Sequence, residues 1–208
     1  MQIGALEAGG TKMVCAIGLE DGQILEKCSI PTETPERTLP WILDFFRQHP
    51  VEALGIGCFG PVDLRKDSST YGSITSTPKL AWQNCQIVSY FQTQLQIPVG
   101  FDTDVNASML GEWTFGAAQG LSDCLYLTVG TGIGAGILSG GQLVHGMMHP
   151  EAGHIQVLRR PDDTYPGCCP YHPSCLESLA CGPAIEERWG QKAEELPPDH
   201  PAWEWEAG

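Results

Sequence analysis

The sequence LYLTVGTGIGAG, from Leu125 to Gly136, decides which fold class this chain can adopt. Its first part, Leu125 to Val129, is an apolar run with the character of a buried strand. Glycine then occupies every second position from Gly130 to Gly136, which leaves backbone N–H groups open to an anion such as a phosphate. The stretch therefore predicts a strand that leads into a phosphate-binding loop.

A dinucleotide-binding fingerprint is the competing interpretation, because G-x-G-x-x-G also places glycines after a strand. That motif must open a helix, whereas Ile137 to Leu143 has strand character and a turn at Ser139-Gly140-Gly141. A strand-loop-strand hairpin that faces a phosphate fits better. A glycine-rich turn without a ligand is the alternative that stays open.

Composition narrows the classes of partner. The 208 residues allow one large domain or two modest ones, and 25 acidic against 11 basic side chains give a net charge of −14. Such a charge repels nucleic-acid backbones and anionic membranes, so neither is an expected partner. No apolar run reaches transmembrane length, and Met1-Gln2-Ile3 passes directly into strand-like sequence. We therefore expect a cytoplasmic protein.

A second glycine-rich turn lies near the start of the chain. Two apolar runs flank Gly9-Gly10-Thr11-Lys12, and this turn differs from a Walker A loop because Thr precedes Lys and no helix pattern follows. It predicts a second phosphate-facing hairpin, in which Thr11 offers a hydroxyl and Lys12 a charge. The alternative is an ordinary tight hairpin with an exposed lysine.

Two more candidate segments follow predicted strands. The strand at Ala53 to Gly57 leads into Gly60-Pro61, a loop at the strand end where α/β sheets bind ligands. The segment Asp67 to Lys79 is polar and predicts a surface hairpin, while Leu39 to Gln48 and Ile87 to Leu95 have helical spacing.

The second candidate segment follows the predicted strand Ile97 to Phe101 and carries two carboxylates, Asp102 and Asp104, before a helix predicted from Ala107. A helix N-terminus stabilises a carboxylate, which keeps it ionised and able to accept a proton. The alternative is that Asp104 or Asn106 only caps the helix.

A cysteine- and histidine-rich loop predicts a metal site. Cys169, His172 and Cys175 recur at intervals of three, and such soft and borderline ligands suit tetrahedral zinc. His154 is the best fourth ligand, with Cys168 in reserve, and four protein ligands make the site structural. Free thiols or a Cys169–Cys175 disulfide are the alternatives. Five of the nine cysteines are scattered in apolar settings, so we expect no disulfide framework; they are Cys15, Cys28, Cys58, Cys85 and Cys124.

The two glycine-rich hairpins, each opening a strand-led unit, indicate a pseudo-repeat of two α/β lobes around a cleft. The predicted lobes are residues 1–118, with the catalytic Asp, and 119–208, with the phosphate loop and the zinc loop.

Taken together, these residues resemble the ROK family of sugar kinases, and specifically its bacterial fructokinase branch. The matching motifs occur in the family's order and span nearly the whole chain. They are Glu7-Ala-Gly-Gly-Thr-Lys12, Gly55-Ile-Gly-Cys-Phe-Gly-Pro-Val-Asp-Leu64, Thr75-Ser-Thr-Pro-Lys79, Asp102-Thr-Asp-Val-Asn106, Gly130-Thr-Gly-Ile-Gly-Ala-Gly136, Glu151-Ala-Gly-His154 and Cys169-Pro-Tyr-His-Pro-Ser-Cys-Leu-Glu177.

The resemblance implies an α/β actin-like ATPase (ribonuclease H-like) fold of two lobes and ATP-dependent phosphorylation of a hexose, most simply of fructose. It implies Asp104 as the general base, and ATP, Mg²⁺ and structural Zn²⁺ as cofactors. Sugar, ATP and a second copy of the chain are the expected partners. The residues expected at the sugar are Gly60, Pro61, Thr103, Asp104, Glu151, His154 and Glu177. Those expected at the nucleotide are Gly10, Thr11, Lys12, Gly130, Thr131, Gly132 and Pro183. Those expected at zinc are His154, Cys169, His172 and Cys175.

Two departures from the family pattern stand out. Glu177-Ser178-Leu179-Ala180-Cys181-Gly182 replaces the usual Glu-Gly-Leu-Ala-Ser-Gly, which adds bulk beside the sugar site. Relatives also continue past the segment Leu196 to Gly208 into a glycine-rich adenine-binding segment, so we expect an incomplete second lobe. The alternatives to a fructokinase are a glucokinase or mannokinase of the same family, or an inactive sugar-binding fragment that contains zinc.

Overall fold

The computed structural model describes residues 1–207. They divide into two compact units, the first formed by Met1–Cys124 with Ile137–His149 and the second by Leu125–Gly136 with Pro150–Gly208. These compact units are defined by contacts between residues, whereas the predicted lobes are continuous halves of the chain. The lobe boundary between residues 118 and 119 therefore stays a prediction.

A five-stranded sheet forms the framework of the first unit, in the order β3-β2-β1-β4-β5. Strands β1 to β3 are antiparallel neighbours, whereas β1, β4 and β5 run parallel to one another. The parallel arrangement brings the carboxyl ends of these three strands to the same edge of the sheet. The strands are β1 Gln2–Ala8, β2 Lys12–Leu19, β3 Ile24–Pro31, β4 Ala53–Cys58 and β5 Val99–Thr103.

The core of the first unit lies on one face of this sheet. Side chains alternate between the two faces of a strand, so Leu6 and Ala8 of β1 are buried while Glu7 between them is exposed. Helices α1 (Pro35–Gln48) and α2 (Ile87–Leu95) contribute apolar residues to the same buried cluster. In α1 these residues follow helical spacing and are Leu39, Ile42, Leu43 and Phe46.

Helix α3 (Asp104–Phe115) packs against the other face of the sheet. At Gly57 a Cβ would lie 2.6 Å from the Cβ of Ala107, so only glycine allows the helix to approach this closely. The neighbouring Ile56 points to the core that α1 and α2 cover. A glycine in the middle of a strand thus brings the start of α3 close to the end of β4.

Three further strands, β6 (Cys124–Val129), β7 (Ile133–Ser139) and β8 (Gln142–Leu143), form a sheet in that order. Because β7 follows the glycine-rich loop directly, the prediction of strand, loop and strand is confirmed and the dinucleotide-binding alternative is wrong. The helices of the second unit are short: α4 Leu176–Ala180, α5 Gly182–Trp189 and α6 Ala202–Ala207. Across residues 1–207 no helix has both the length and the apolar character required to cross a bilayer.

Three sequence predictions about local structure need correction. Asp67 to Lys79 is not a surface hairpin, because it consists of turns and one isolated bridge, Val62 to Ile74, and Ile74 is buried. Helix α3 begins at Asp104 rather than at Ala107, since a cap forms earlier than the apolar pattern shows. Helix α1 likewise begins at Pro35, four residues before its apolar spacing starts.

Candidate functional site

The first unit gathers three of the predicted site segments at one edge of its sheet. Ala8 is paired with Cys58, and Cys58 with Thr103, so these three residues form one row across the last positions of β1, β4 and β5. Neighbouring strands lie about 4.8 Å apart, so the loops that leave this row are close neighbours. They are the hairpin at Gly9, the loop at Gly60-Pro61 and the start of α3 at Asp104.

The hairpin after β1 has the tight geometry that its sequence predicts. The Gly9 N–H donates to the Lys12 carbonyl at 3.1 Å, and a Cβ on Gly9 would lie 2.5 Å from that oxygen. Thr11 and Lys12 are exposed at the tip. A second lysine lies beside the turn, since a Cβ on Gly10 would lie 3.1 Å from Cε of Lys79. The hairpin therefore presents its backbone together with two cationic side chains nearby.

Asp104 is the first residue of α3, and Thr103 is its N-cap. The Thr103 side chain accepts a hydrogen bond from the Asn106 N–H at 3.2 Å, so the proposal that Asp104 or Asn106 caps the helix is wrong. The Asp104 carboxylate accepts from the Val105 N–H at 2.9 Å. It thus lies at the positive end of the helix, where an ionised carboxylate is stabilised.

A buried cysteine lies next to this carboxylate. Burial, followed by the negative charge of Asp104, raises the pKa of the Cys58 thiol well above its usual value. Cys58 therefore stays protonated at neutral pH and does not compete with Asp104 as a base.

A buried carboxylate with no role predicted from the sequence follows the Gly60-Pro61 loop. The Pro61 carbonyl accepts from the Thr75 N–H at 2.8 Å and from its hydroxyl at 3.0 Å. Two residues on, Asp63 is 5% exposed and accepts hydrogen bonds from the side chains of Arg65, Ser68 and Thr70. These bonds, with Arg65 the largest cause, hold the pKa of Asp63 well below its usual value.

Replacing Asp63 with alanine is expected to lower the free energy of unfolding by about 3 kcal/mol, because the Ser68 and Thr70 hydroxyls lose a charged acceptor. The folded-state pKa lies below the unfolded one, so the carboxylate's contribution is present above about pH 4 and is lost as the pH falls further. Urea unfolding of both proteins between pH 3 and pH 7 measures this. An equal pH slope for the two proteins would contradict the role given to Asp63.

In the second unit the glycine-rich loop is fixed by residues that lie more than forty positions later. The Gly182 N–H donates to the Gly130 carbonyl at 2.7 Å, and Glu177 Oε2 accepts from the Ile133 N–H at 2.8 Å. A Cβ on Gly132 would lie 2.6 Å from that same oxygen. The predicted nucleotide residue Pro183 follows Gly182 in the first turn of α5. The loop and the two short helices α4 and α5 thus form one hydrogen-bonded group.

The segment Glu151 to His154 packs against the strand that follows the loop. A Cβ on Gly153 would lie 1.9 Å from the Ile133 carbonyl oxygen, so glycine is required there. Glu151 has φ 47° and ψ 42°, a left-handed conformation that non-glycine residues seldom adopt. Such backbone strain concentrates at functional sites. His154 Nδ1 lies 4.0 Å from Glu177 Oε1, which brings two predicted sugar-binding residues together.

The four predicted zinc ligands converge. One ligand atom from each of His154, Cys169, His172 and Cys175 lies within 4.8 Å of all the others. His154 Nδ1 is 3.6 Å from the Cys175 sulfur and 3.8 Å from the Cys169 sulfur. Tetrahedral zinc with ordinary bond lengths requires an N···S separation of about 3.6 Å. The geometry therefore fits a four-coordinate ion.

The chemistry of these donors also fits a cation. Burial raises the pKa of the Cys175 thiol above its usual value, so a positive ion beside this sulfur would be needed to hold it as a thiolate at neutral pH. The reserve ligand Cys168 points elsewhere, with its sulfur 3.4 Å from that of Cys181. All nine cysteines are free, and the Cys169–Cys175 disulfide is absent from the described residues.

Several residues at these sites had no assigned role in the sequence analysis. Lys79 belongs to a quoted motif, but only the fold brings it to the Gly10 turn. Asp102 and His145 form a pair with Nε2···Oδ2 at 2.7 Å, although 43 positions separate them. Sequence spacing offers no signal for such contacts. A buried carboxylate such as Asp63 is equally hidden in a polar segment.

Comparison with solved structures establishes the class of fold. A ROK family glucokinase from Streptomyces griseus, in complex with glucose and AMPPNP, matches 90% of this chain and 59% of its own, with a TM-score of 0.70 and 31% identity. The chain is thus a mixed α/β protein with the actin-like ATPase fold of the ROK sugar kinases.

Sequence comparison narrows the class to a family. The ROK family model matches residues 3–202, and the chain belongs to that family. A Bacillus subtilis (strain 168) relative that carries a provisional fructokinase name is 52% identical over 204 residues, covering 98% of this chain and 68% of the relative. A fructokinase from Pediococcus pentosaceus is 44% identical over 203 residues, covering 98% and 70%. The chain therefore spans about two thirds of the length of these relatives.

Proposed function

We propose that this protein transfers the γ-phosphoryl group of ATP to the 6-hydroxyl of a hexose, with D-fructose as the preferred substrate. The observation that carries the proposal is the placement of Asp104. Its carboxylate lies at the N-terminus of α3, beside the strand ends that also carry the Gly9 hairpin and the Gly60-Pro61 loop. The names of the fructokinase relatives favour fructose over other hexoses.

In the proposed reaction Asp104 accepts the proton of the sugar hydroxyl while the hydroxyl oxygen attacks the γ-phosphorus. The bond from that phosphorus to the bridging oxygen breaks, and ADP leaves. Phosphoryl transfer depends mainly on positioning and on neutralising charge. The backbone at Gly10, the Thr11 hydroxyl and the Lys12 ammonium group provide donors and positive charge for the phosphates. Mg²⁺ bound with the nucleotide would neutralise further negative charge. Gly130, Thr131 and Gly132 are the nucleotide residues proposed in the second unit. The Gly130 N–H already donates to the Gly132 carbonyl at 2.9 Å, so the N–H groups of Thr131 and Gly132 are the donors proposed for phosphate.

Sugar recognition is assigned to the acidic residues of the second unit. A carboxylate can accept hydrogen bonds from two sugar hydroxyls, which suits Glu151 and Glu177 to a polyol. His154 would use Nδ1 for zinc, since both sulfurs approach that atom, and would keep Nε2 for a sugar hydroxyl. Zinc would hold His154, Cys169, His172 and Cys175 as a closed structural site. Nine free cysteines suit a reducing compartment such as the cytoplasm.

An assay of ADP release with fructose, glucose, mannose and N-acetylmannosamine tests the proposal. We expect the highest kcat/KM with fructose. Good turnover of glucose without turnover of fructose would refute the substrate and favour the glucokinase alternative.

A second candidate function is favoured by the cluster of His154, Cys169, His172 and Cys175, which forms from residues of the second unit alone. It is a zinc-containing protein that binds sugar without transferring phosphate. Calorimetry separates the two candidates, because fructose binding without ATP binding would support the second and binding of both ligands the first.

Replacing Glu151 with glycine is expected to raise the KM for fructose by about 10- to 100-fold, because a charged hydrogen-bond acceptor is lost. The free energy of unfolding should change by less than about 1 kcal/mol, since glycine relieves the left-handed strain. Gln96→Gly is the matched control, because Gln96 also has a positive φ, 55°, at the end of α2. A large loss of stability in the Glu151 variant alone would show that Glu151 supports the fold instead.

A further inference from the structure

One histidine of the first unit contacts the segment that carries Asp104. His145 follows β8, and its Nε2 lies 2.7 Å from Oδ2 of Asp102, the last residue but one of β5. The carboxylate can only accept, so Nε2 carries the proton in this contact. Neither the resemblance nor the roles proposed above account for this pair.

Asp102 links His145 to the start of α3 through its two carboxylate oxygens. Its other oxygen, Oδ1, accepts from the Thr103 N–H at 2.8 Å and from Nδ2 of Asn106, also at 2.8 Å. Asn106 is fully buried, and its own N–H is bonded to the cap residue Thr103. Asp104 lies between these anchored residues. Residues on both sides of Asp104 are therefore hydrogen-bonded to the Asp102 carboxylate.

We propose that His145 is a positioning residue for phosphoryl transfer, because through Asp102 it fixes the first turn of α3 and hence the direction of the Asp104 carboxylate. The inference rests on the proposed function, in which Asp104 is the base. His145 also occupies the one oxygen of Asp102 that the turn does not use. This hydrogen bond keeps the Asp102 carboxylate from contacting the substrate, so that Asp104 alone serves as the proton acceptor.

The segment that carries His145 contacts the neighbouring loop as well. Four residues later, His149 Nε2 accepts a hydrogen bond of 3.4 Å from the Val62 N–H, directly after Gly60-Pro61. Both Asp102 and Asp104 line an open groove of ≈ 490 Å³ in this unit. The stretch from His145 to His149 thus contacts two of the three loops that leave the row of strand ends.

A purely stabilising role is the competing explanation, and exposure argues against it. The side chains of His145 and Asp102 are 41% and 23% exposed. A pair this accessible to water contributes little to folding, typically no more than about 1 kcal/mol. Displacement of a reacting group by about 1 Å, in contrast, can cost on the order of 100-fold in rate. The two explanations therefore predict different results.

The test compares His145→Leu with His145→Gln. Leucine keeps the bulk but removes the donor, and glutamine returns an N–H near the position of Nε2. We expect His145→Leu to lower kcat for fructose by about 10- to 100-fold with the KM for fructose within about threefold of wild type. His145→Gln should restore most of the lost kcat. His49→Gln is the matched control, because His49 forms the same kind of pair with Glu26, at 2.8 Å, far along the chain from these residues.

Wild-type kcat in His145→Leu, or equal losses in the Leu and Gln variants, would overturn the proposal. Hydrogen exchange of the Val105 and Asn106 amides provides a readout that does not need turnover. Faster exchange of these two amides in His145→Leu, but not in His145→Gln, is expected, and unchanged exchange would refute the positioning role. If the wild type phosphorylates no hexose, the proposed function fails, while the exchange result still decides whether His145 orders this turn.

Discussion

Asparagine in place of Asp104 is expected to lower kcat for fructose by about 10²- to 10⁴-fold, which is the usual contribution of a general base. The amide has nearly the same shape as the carboxylate but cannot take the hydroxyl proton at neutral pH. Fructose affinity should stay within about threefold of wild type, because the change affects the transition state rather than binding. Steady-state kinetics and calorimetry with fructose measure the two quantities.

The fold should tolerate this change. Asp104 is at the first position of α3, where loss of a negative charge costs about 0.3–1 kcal/mol. Asp44→Asn, an exposed acidic residue of α1, is the matched control and should leave kcat unchanged. Retention of more than a tenth of the activity in Asp104→Asn would mean that another group takes the proton. Asp102→Asn would then be the next variant to examine.

Serine in place of Cys169 is expected to reduce bound zinc from about one equivalent to less than half an equivalent. Loss of one thiolate leaves three ligands and an open position, which a structural zinc site does not tolerate well. Two small apolar clusters lie among the described residues of the second unit, so a bound metal would add substantially to its stability. The free energy of unfolding should fall by about 4 kcal/mol, or roughly 10 °C in the unfolding midpoint.

Cys168→Ser is the matched control for the metal site. Cys168 is the immediate neighbour of Cys169 but lies against Cys181, so its loss should leave the zinc content unchanged. Metal analysis by mass spectrometry and thermal unfolding with and without a chelator provide the measurements. Full stability of Cys169→Ser, or equal zinc loss from both variants, would count against the four ligands proposed here.

Local sequence signals were sufficient where a feature depends on neighbouring residues. The Gly9 hairpin and the strand-loop-strand at Gly130 were predicted because glycine spacing and flanking apolar runs act within a few positions. The start of α3 was placed at Ala107 because apolar periodicity cannot show a cap. The Thr103 hydroxyl, which bonds the Asn106 N–H, begins the helix three residues earlier.

The convergence of the four proposed zinc ligands was predictable for a related reason. Cys169, His172 and Cys175 lie within one loop, so their spacing alone brings them near a common point. His154 was added as the best candidate upstream, and the structure places its Nδ1 between the two sulfurs. Cys168 was only the reserve ligand because two adjacent thiolates rarely both reach one ion, and its sulfur indeed lies 3.4 Å from that of Cys181 instead.

Local pattern was enough to predict the two glycine hairpins and the chemistry of the candidate residues, whereas the fold class and the family followed from the resemblance of the ordered motifs to the ROK family. Three features became visible only in the tertiary structure. They are the alignment of Ala8, Cys58 and Thr103 at the ends of neighbouring strands, the buried carboxylate of Asp63 and the pairing of His145 with Asp102. The physical reason is that parallel strands and long-range hydrogen bonds join residues separated by tens of positions. No local preference encodes which distant side chain completes such a contact.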